Sequence, residues 1–233
     1  MSSKRPVYFL HGLLGTAYGH FGRQIKAWGQ DHDLVPIDLP GHGRCPIHAS
    51  EDYLDDAYAY VMALMERFGR GRLVAASYLG GPIAVRCASE RPDLVSSLVL
   101  TGFSTGMDKE AFLDQVAGFH RLAKENPDLV AEFERLHTAR WRDTLAAFTA
   151  HTALAYDEWV GVSAEALGKL SVPTFIVNGS LKSIERASAE QAAGFGDQVR
   201  GLVLEGAGHI AGHDAPEAFN AAVEAFWMED PER

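Results

Sequence analysis

Four short segments hold the residue types that could do chemistry, and each of them follows a run of apolar residues. They are residues 11–16 (HGLLGT), 38–44 (DLPGHGR), 76–81 (ASYLGG) and 206–209 (GAGH). In an open α/β sheet, ligands bind outside the carboxyl ends of the strands. Histidine, serine and tyrosine side chains gathered there could move protons or attack a carbonyl carbon. The four segments together therefore indicate an enzyme site built from strand-end loops.

The elements that must position these loops alternate along the chain, with short apolar runs separated by helical patterns. Such alternation is typical of βαβ units and a parallel sheet. The runs are rich in Val, Leu and Ile, as expected where helices cover both faces of a sheet. We predict one α/β domain over residues 1–233 with about six mainly parallel strands. The predicted strands are 7–10, 34–38, 73–76, 97–100, 174–177 and 201–204, and the helices around them are 21–30, 53–68, 81–90 and 215–227.

One stretch breaks the alternation, because residues from about 107 to 170 carry helical patterns and no strand pattern. Asn126 followed by Pro127 is typical of a helix cap and first turn within it. We therefore predict a helical lid inserted over the carboxyl edge of the sheet. Aromatic residues are frequent in this stretch. They favour an apolar ligand, although about half of them would simply pack the lid onto the domain.

Taken in order, the HG-x-x-G, D-L-P-G-H-G and G-x-G-H segments resemble the α/β-hydrolase family over nearly the whole chain outside the lid. The resemblance implies that His209 is the catalytic base. It also implies an oxyanion hole made by the backbone amides of Leu13 and Leu79. His11 and His42 are expected to hold backbone geometry in their loops, and His213 is not expected to take part in catalysis.

The nucleophile position departs from the family pattern. A nucleophile elbow, G-x-S-x-G, needs small residues two places before and after the nucleophile, because the strand-to-helix turn is tight. With Ser77 at the tip, Leu79 would crowd the turn. With Tyr78 at the tip, the flanking residues are Ala76 and Gly80, which are both small. We therefore favour Tyr78 at the nucleophile position and keep Ser77 as the alternative.

The acid position departs as well. The family usually has an aspartate in a G-x-x-D turn after the fifth of these strands, and here the corresponding residue is Lys182. A lysine would lower the pKa of the histidine and would not stabilise an imidazolium. A shift of up to three residues could recruit Glu185, and Asp108 or Ser104 could approach His209 from another side. The sequence does not choose among these three.

Three functions remain open at this stage. The first is acid–base chemistry by Tyr78 and His209 on a small carbonyl compound, by elimination, addition, cyclisation or carbon–carbon cleavage. Hydroxynitrile lyases and the elimination enzyme of menaquinone biosynthesis show that the resembled family hosts such reactions. The second is an ester, thioester or lactone hydrolase that uses Ser77 or Tyr78 as a non-standard nucleophile. The third is a catalytically silent protein that binds a small ligand under the lid.

Composition narrows the partners. The 233 residues carry a formal net charge of −10. Nucleic acids and anionic membranes attract clustered Lys and Arg, so we expect neither as a partner. Cys45 and Cys87 form neither a disulfide framework nor a zinc site, and we expect both to be reduced. The sequence lacks a phosphate-binding glycine loop and a histidine pair at ligand spacing. We expect a cytoplasmic enzyme for a small-molecule substrate, without metal or organic cofactor; its oligomeric state stays open, a homodimer included.

Overall fold

The computed structural model describes residues 5–229, and a six-stranded sheet lies at its centre. Every strand pair is parallel, in the order β2-β1-β3-β4-β5-β6. The α/β prediction with about six parallel strands is therefore confirmed. The strands are β1 Pro6–Leu10, β2 Asp33–Ile37, β3 Gly71–Ala76, β4 Val95–Thr101, β5 Thr174–Gly179 and β6 Val199–Leu204. Most are longer than predicted, because the flanking Gly, Ser and Asn residues join the ladders.

Helices cover both faces of the sheet, which explains the nearly continuous apolar strands. Tyr8 and Leu10 of β1 belong to one buried cluster, and Val7 and Phe9 belong to the other. The α-helices are α1 Ala17–Trp28, α2 Tyr53–Phe68, α3 Gly80–Glu90, α4 Lys109–Glu125, α5 Pro127–His137, α6 Trp141–Leu154, α7 Tyr156–Trp159, α8 Ala164–Gly168, α9 Ser183–Gln191, α10 Ala211–Asp214 and α11 Pro216–Met228. None of the helices in the described part of the chain has the length and apolarity needed to cross a bilayer.

Local capping explains where the predicted helix limits were wrong. The predicted helix 21–30 begins four residues earlier, since Thr16 accepts a hydrogen bond from the Gly19 amide (2.9 Å) and caps α1. Asn126 caps α5 in the same way through the Leu129 amide (3.1 Å), with Pro127 in the first turn. Both capping residues are visible in the sequence, but only Asn126 was used to predict the start of a helix.

The stretch between β4 and β5 contains helices α4 to α8 and no strand. Its aromatic residues, among them Phe112, Phe148 and Trp159, join the buried cluster on one face of the sheet. Gln115 of α4 reaches the turn after β3, so part of this insertion lies beside the carboxyl edge where the predicted site residues end. The name lid is used below for helices α4 to α8.

Candidate active site

The turn after β3 consists of Ser77, Tyr78 and Leu79, since β3 ends at Ala76 and α3 begins at Gly80. This turn packs tightly against the loop after β1. A Cβ atom on Gly80 would lie 2.4 Å from the Leu10 carbonyl oxygen, and one on Gly12 would lie 2.2 Å from the Ser77 carbonyl oxygen. Both positions must therefore be glycine for the two loops to approach so closely. The requirement for a small residue at position 80 is the one that favoured Tyr78 at the tip.

Tyr78 lies between His209 and the lid. Its ring stacks on the His209 ring, with centroids 5.5 Å apart and planes 22° apart. Its hydroxyl donates a hydrogen bond to Oε1 of Gln115 in α4. Among the described hydrogen bonds none joins Tyr78 to His209, because the phenol is directed to Gln115. Burial, and secondarily the charge of Glu185, raises the pKa of Tyr78 to about 12.

His209 has a carboxylate partner, and it is Glu185. His209 Nδ1 lies 2.7 Å from Glu185 Oε1. Because an ionised carboxylate only accepts, Nδ1 carries the hydrogen and Nε2 is left as the basic nitrogen. Glu185 is only 5% exposed, so its carboxylate is held in place behind the His209 ring. This pair has the geometry of a general base with its orienting acid.

The other candidates for the acid position have different places. Asp108 accepts a hydrogen bond from the Ala111 amide (2.8 Å) and caps α4. Ser104 lines a recess next to Ser77. Lys182 precedes α9 and lines the same cavity as His209. Of the three alternatives left open by the sequence, the structure pairs only Glu185 with the histidine.

A cavity of about 440 Å³ opens beside Tyr78 and His209. Its wall combines apolar side chains with a few polar ones: Tyr78, Met107, Gln115, Phe119, Lys182, Ser183, Ile184, Glu185 and His209. Ser77 instead lines a recess of about 10 Å³, which has room for about one water molecule. Ser77 is 6% exposed. A small organic molecule therefore fits next to Tyr78 and His209, and not next to Ser77 without rearrangement.

The predicted oxyanion-hole amides belong to Leu13 and Leu79, which lie in the two loops that pack together. Within residues 5–229, the structure shows no hydrogen-bond acceptor for either amide. Their neighbours are bonded: the Gly80 amide donates to the His11 carbonyl (3.1 Å), and the Leu14 amide donates to His42 Nε2 (3.1 Å). Both residues are buried, and within the described residues neither amide hydrogen has an acceptor; an oxyanion hole needs two such unengaged donors.

His11 and His42 hold these loops together. His11 Nε2 accepts from the Leu39 amide (3.0 Å), and its Nδ1 lies 2.8 Å from the Gly12 carbonyl. His42 Nδ1 lies 3.0 Å from the Pro40 carbonyl, while its Nε2 bonds the Leu14 amide. Each ring donates with one nitrogen and accepts with the other, so each must be neutral.

Two further histidines of this group were missed by sequence reasoning. His137, at the end of α5, accepts from the Gly43 amide (2.9 Å) and lies 3.0 Å from the Leu14 carbonyl. His20 in α1 accepts from the Gly12 amide (3.0 Å). The bonds from His42 and His137 hold Leu14 at φ 54°, a left-handed conformation that costs a leucine about 1 kcal/mol or more. No sequence pattern links position 137 to position 14.

We expect the free energy of unfolding to fall as the pH drops from 7.5 to 5. Burial lowers the pKa of His11 to about 4 and that of His20 to about 3, and it lowers the pKa of His42 and His137 as well. These rings stay neutral when folded but protonate near pH 6.5 when unfolded, so unfolding takes up protons below that pH. Each such proton adds a slope of about 1.4 kcal/mol per pH unit. Urea unfolding at several pH values measures the slope.

A matched pair of variants tests the origin of that slope. His42→Gln keeps an amide that can accept and donate but has no titrating ring, so the slope should become shallower. His48→Gln removes an exposed histidine and should leave the slope unchanged. An unfolding free energy that is flat between pH 7.5 and 5 in the unmodified protein would contradict the assignment of these rings as neutral.

The geometry can now be compared with known proteins. Residues 5–200 match the family model of the alpha/beta hydrolase fold. The chain belongs to the alpha/beta hydrolase fold family. With its fold and its His209–Glu185 pair, it is an enzyme of that fold.

The proteins similar to this α/β-hydrolase-fold enzyme differ widely in sequence identity. The crystal structure of NosK from Streptomyces actuosus is similar, with 56% identity over 98% of this chain and 99% of that chain and a TM-score of 0.96. An (E)-2-((N-methylformamido)methylene)succinate hydrolase from Acinetobacter baylyi is 24% identical over 96% of this chain and 90% of its own length. MenH from S. aureus, at 18% identity, covers 99% of this chain and 96% of its own, and its TM-score of 0.76 reflects the shared fold alone.

Proposed function

We propose that this α/β-hydrolase-fold enzyme performs acid–base chemistry on a small, apolar carbonyl compound without forming an acyl-enzyme. The reaction classes are elimination, cyclisation and carbon–carbon bond cleavage. The observation that carries the proposal is the pairing of His209 with Glu185 next to a tyrosine. The pKa of Tyr78 is raised to about 12, so the phenol is a poor nucleophile and a good holder of a proton.

The proposed mechanism uses three side chains that line one cavity, His209, Glu185 and Tyr78, and two backbone amides, one of which belongs to the residue after Tyr78. His209 Nε2 removes a proton from the substrate, and the Glu185 carboxylate stabilises the imidazolium that forms. The amides of Leu13 and Leu79 receive the developing charge on the carbonyl oxygen. Tyr78 leaves Gln115 and donates its proton to an oxygen of the substrate or leaving group. The proton held by His209 then passes to the Tyr78 phenolate, which restores the starting state of both groups.

A second candidate is hydrolysis in which His209 activates a water molecule directly. The Acinetobacter baylyi relative, which aligns with nearly the whole chain, is named as a hydrolase. The same His209–Glu185 pair and the same two amides would serve a water attack on a carbonyl carbon. This route also proceeds without a covalent intermediate, unlike hydrolysis by Ser77 or Tyr78.

A covalent-labelling experiment separates direct from covalent chemistry. We expect a serine-directed fluorophosphonate to leave no adduct on Ser77 or Tyr78 in intact-mass and peptide spectra. We also expect the protein to exchange α-protons of members of a panel of small aryl ketones in D₂O, followed by NMR. Ser77→Ala and heat-denatured protein are the controls. A stoichiometric adduct on Ser77 that is absent from Ser77→Ala would overturn the proposal in favour of a serine hydrolase.

A further inference from the structure

Lys182 is a charged residue of the cavity that the proposed mechanism does not use. It lies in the loop between β5 and α9, and its side chain is exposed where it lines the cavity beside His209 and Tyr78. Within the described residues 5–229, the structure gives its ammonium group no hydrogen bond and no ion pair. Glu185, three residues further along the chain, is already bonded to His209, with its Oε1 2.7 Å from Nδ1.

Two charged side chains line the cavity, and they differ in how far they are exposed. Glu185 and Lys182 are the carboxylate and the ammonium among the lining residues of the described cavity. The Glu185 carboxylate is buried behind the His209 ring, whereas the Lys182 ammonium faces solvent and the cavity. A ligand therefore meets an exposed ammonium that no described ion pair engages, in a protein whose net charge is −10.

We infer that Lys182 selects substrates that carry a carboxylate on an apolar body; the inference rests on the proposed function and specifies its substrate class. The apolar body would contact Met107, Phe119 and Ile184, which line the same cavity. The carboxylate would pair with the Lys182 ammonium, and the Ser183 hydroxyl, which lines the cavity one residue further on, can donate to it as well.

The number of donors favours a carboxylate over a phosphate group. Phosphate sites in proteins usually bring several cationic or amide donors to a dianion. Here one ammonium and one hydroxyl lie on the same side of the cavity, which suits a single negative charge. Gln115 donates one amide hydrogen through Nε2 to the Met107 sulfur (3.6 Å) and accepts from Tyr78 through Oε1, so it could add at most one neutral N–H donor.

Binding measurements test this inference separately from catalysis. We expect 2-naphthylacetate to bind the protein about 5- to 10-fold more tightly than 2-naphthylacetamide in titration calorimetry at low salt. Lys182→Gln should reduce this preference to less than about 2-fold, and Lys26→Gln, an exposed lysine of α1 outside the cavity, should keep it. Raising the salt concentration should weaken the acid and not the amide.

Several outcomes would overturn the inference. These are equal affinity for acid and amide, an unchanged preference in Lys182→Gln, and no measurable binding of either compound. Tighter binding of 2-naphthyl phosphate than of 2-naphthylacetate would mean that Lys182 selects a phosphate group and not a carboxylate. Because the preference for acid over amide is measured by binding without turnover, failure of the acid–base function would appear in activity and leave this result readable.

Discussion

Replacing His209 with alanine is expected to lower turnover by about 10²–10⁴-fold, the range for loss of a general acid or base. His209 lies in the GAGH turn after β6, and Glu185 fixes its Nδ1 (2.7 Å), so Nε2 is the nitrogen that can take a proton. The variant leaves the buried Glu185 without its partner. The rate of α-proton exchange from a substrate found in the ketone panel, or of its conversion, is the measurement.

Two companion variants make the His209 result specific. His213→Ala removes an exposed histidine four residues away and should retain activity. Glu185→Gln keeps a hydrogen-bonding group but removes the charge, so turnover should fall by about 10-fold or more because the imidazolium is no longer stabilised. Full activity in His209→Ala, with folding verified by circular dichroism, would exclude His209 as the base.

Replacing Tyr78 with phenylalanine is expected to lower turnover by about 10²–10⁴-fold as well, because it removes one hydroxyl and keeps the ring. The ring should still stack on His209 and pack against Phe112, whose centroid lies 5.8 Å away. A loss of activity would therefore reflect the missing proton and not a collapsed cavity. The affinity for 2-naphthylacetate should change little, which separates this loss from a defect in binding.

Ser77→Ala is the matched control for Tyr78→Phe, because each removes one hydroxyl from adjacent residues of the same turn. We expect Ser77→Ala to be nearly silent, since Ser77 lines the 10 Å³ recess and not the main cavity. A harmless Tyr78→Phe together with an inactive Ser77→Ala would reverse the assignment. Full binding and unchanged activity in both variants would favour a role for neither hydroxyl.

The sheet could be predicted from the sequence because its signal is local and repeated. Buried parallel strands favour apolar runs, and β1, β3 and β4 contain them at residues 7–10, 73–76 and 98–100. Helix limits were less certain, since they depend on single capping bonds such as that of Thr16. The order β2-β1-β3-β4-β5-β6 was not predicted, because which strands lie side by side leaves no local signal in the sequence.

The acid could not be chosen from the sequence because the length of β5 was uncertain. The predicted strand ended at residue 177, but β5 continues to Gly179 through ladder pairs of Asn178 with Val203 and of Gly179 with Leu204. The loop is thereby displaced along the chain, and α9 begins only at Ser183. Glu185 then falls in the first turn of α9, facing His209. Lys182 and Glu185 are three residues apart, so a small error at a strand end decides which of them is assigned to the acid position.

Other site residues depend on contacts between distant segments and left no signal in the sequence. Gln115 contacts Tyr78 across 37 positions, and His137 contacts Leu14 across 123 positions. Such contacts are set by how the lid helices dock on the sheet. Periodicity predicts which side of a helix is buried, but it does not predict the partner of a single polar side chain on that side.

The bonds of His137 have a consequence for how a substrate enters. They attach α5 to the loops after β1 and β2, through Leu14 and Gly43. The wall of the cavity opposite α9 is formed by α4, which supplies Gln115 and Phe119. Because these bonds hold α5 in place, we expect the cavity to open by a shift of α4 away from Lys182 and its neighbours. Such a shift would break the hydrogen bond between Gln115 and the phenol of Tyr78. Substrate entry and release of the proton donor would then occur together.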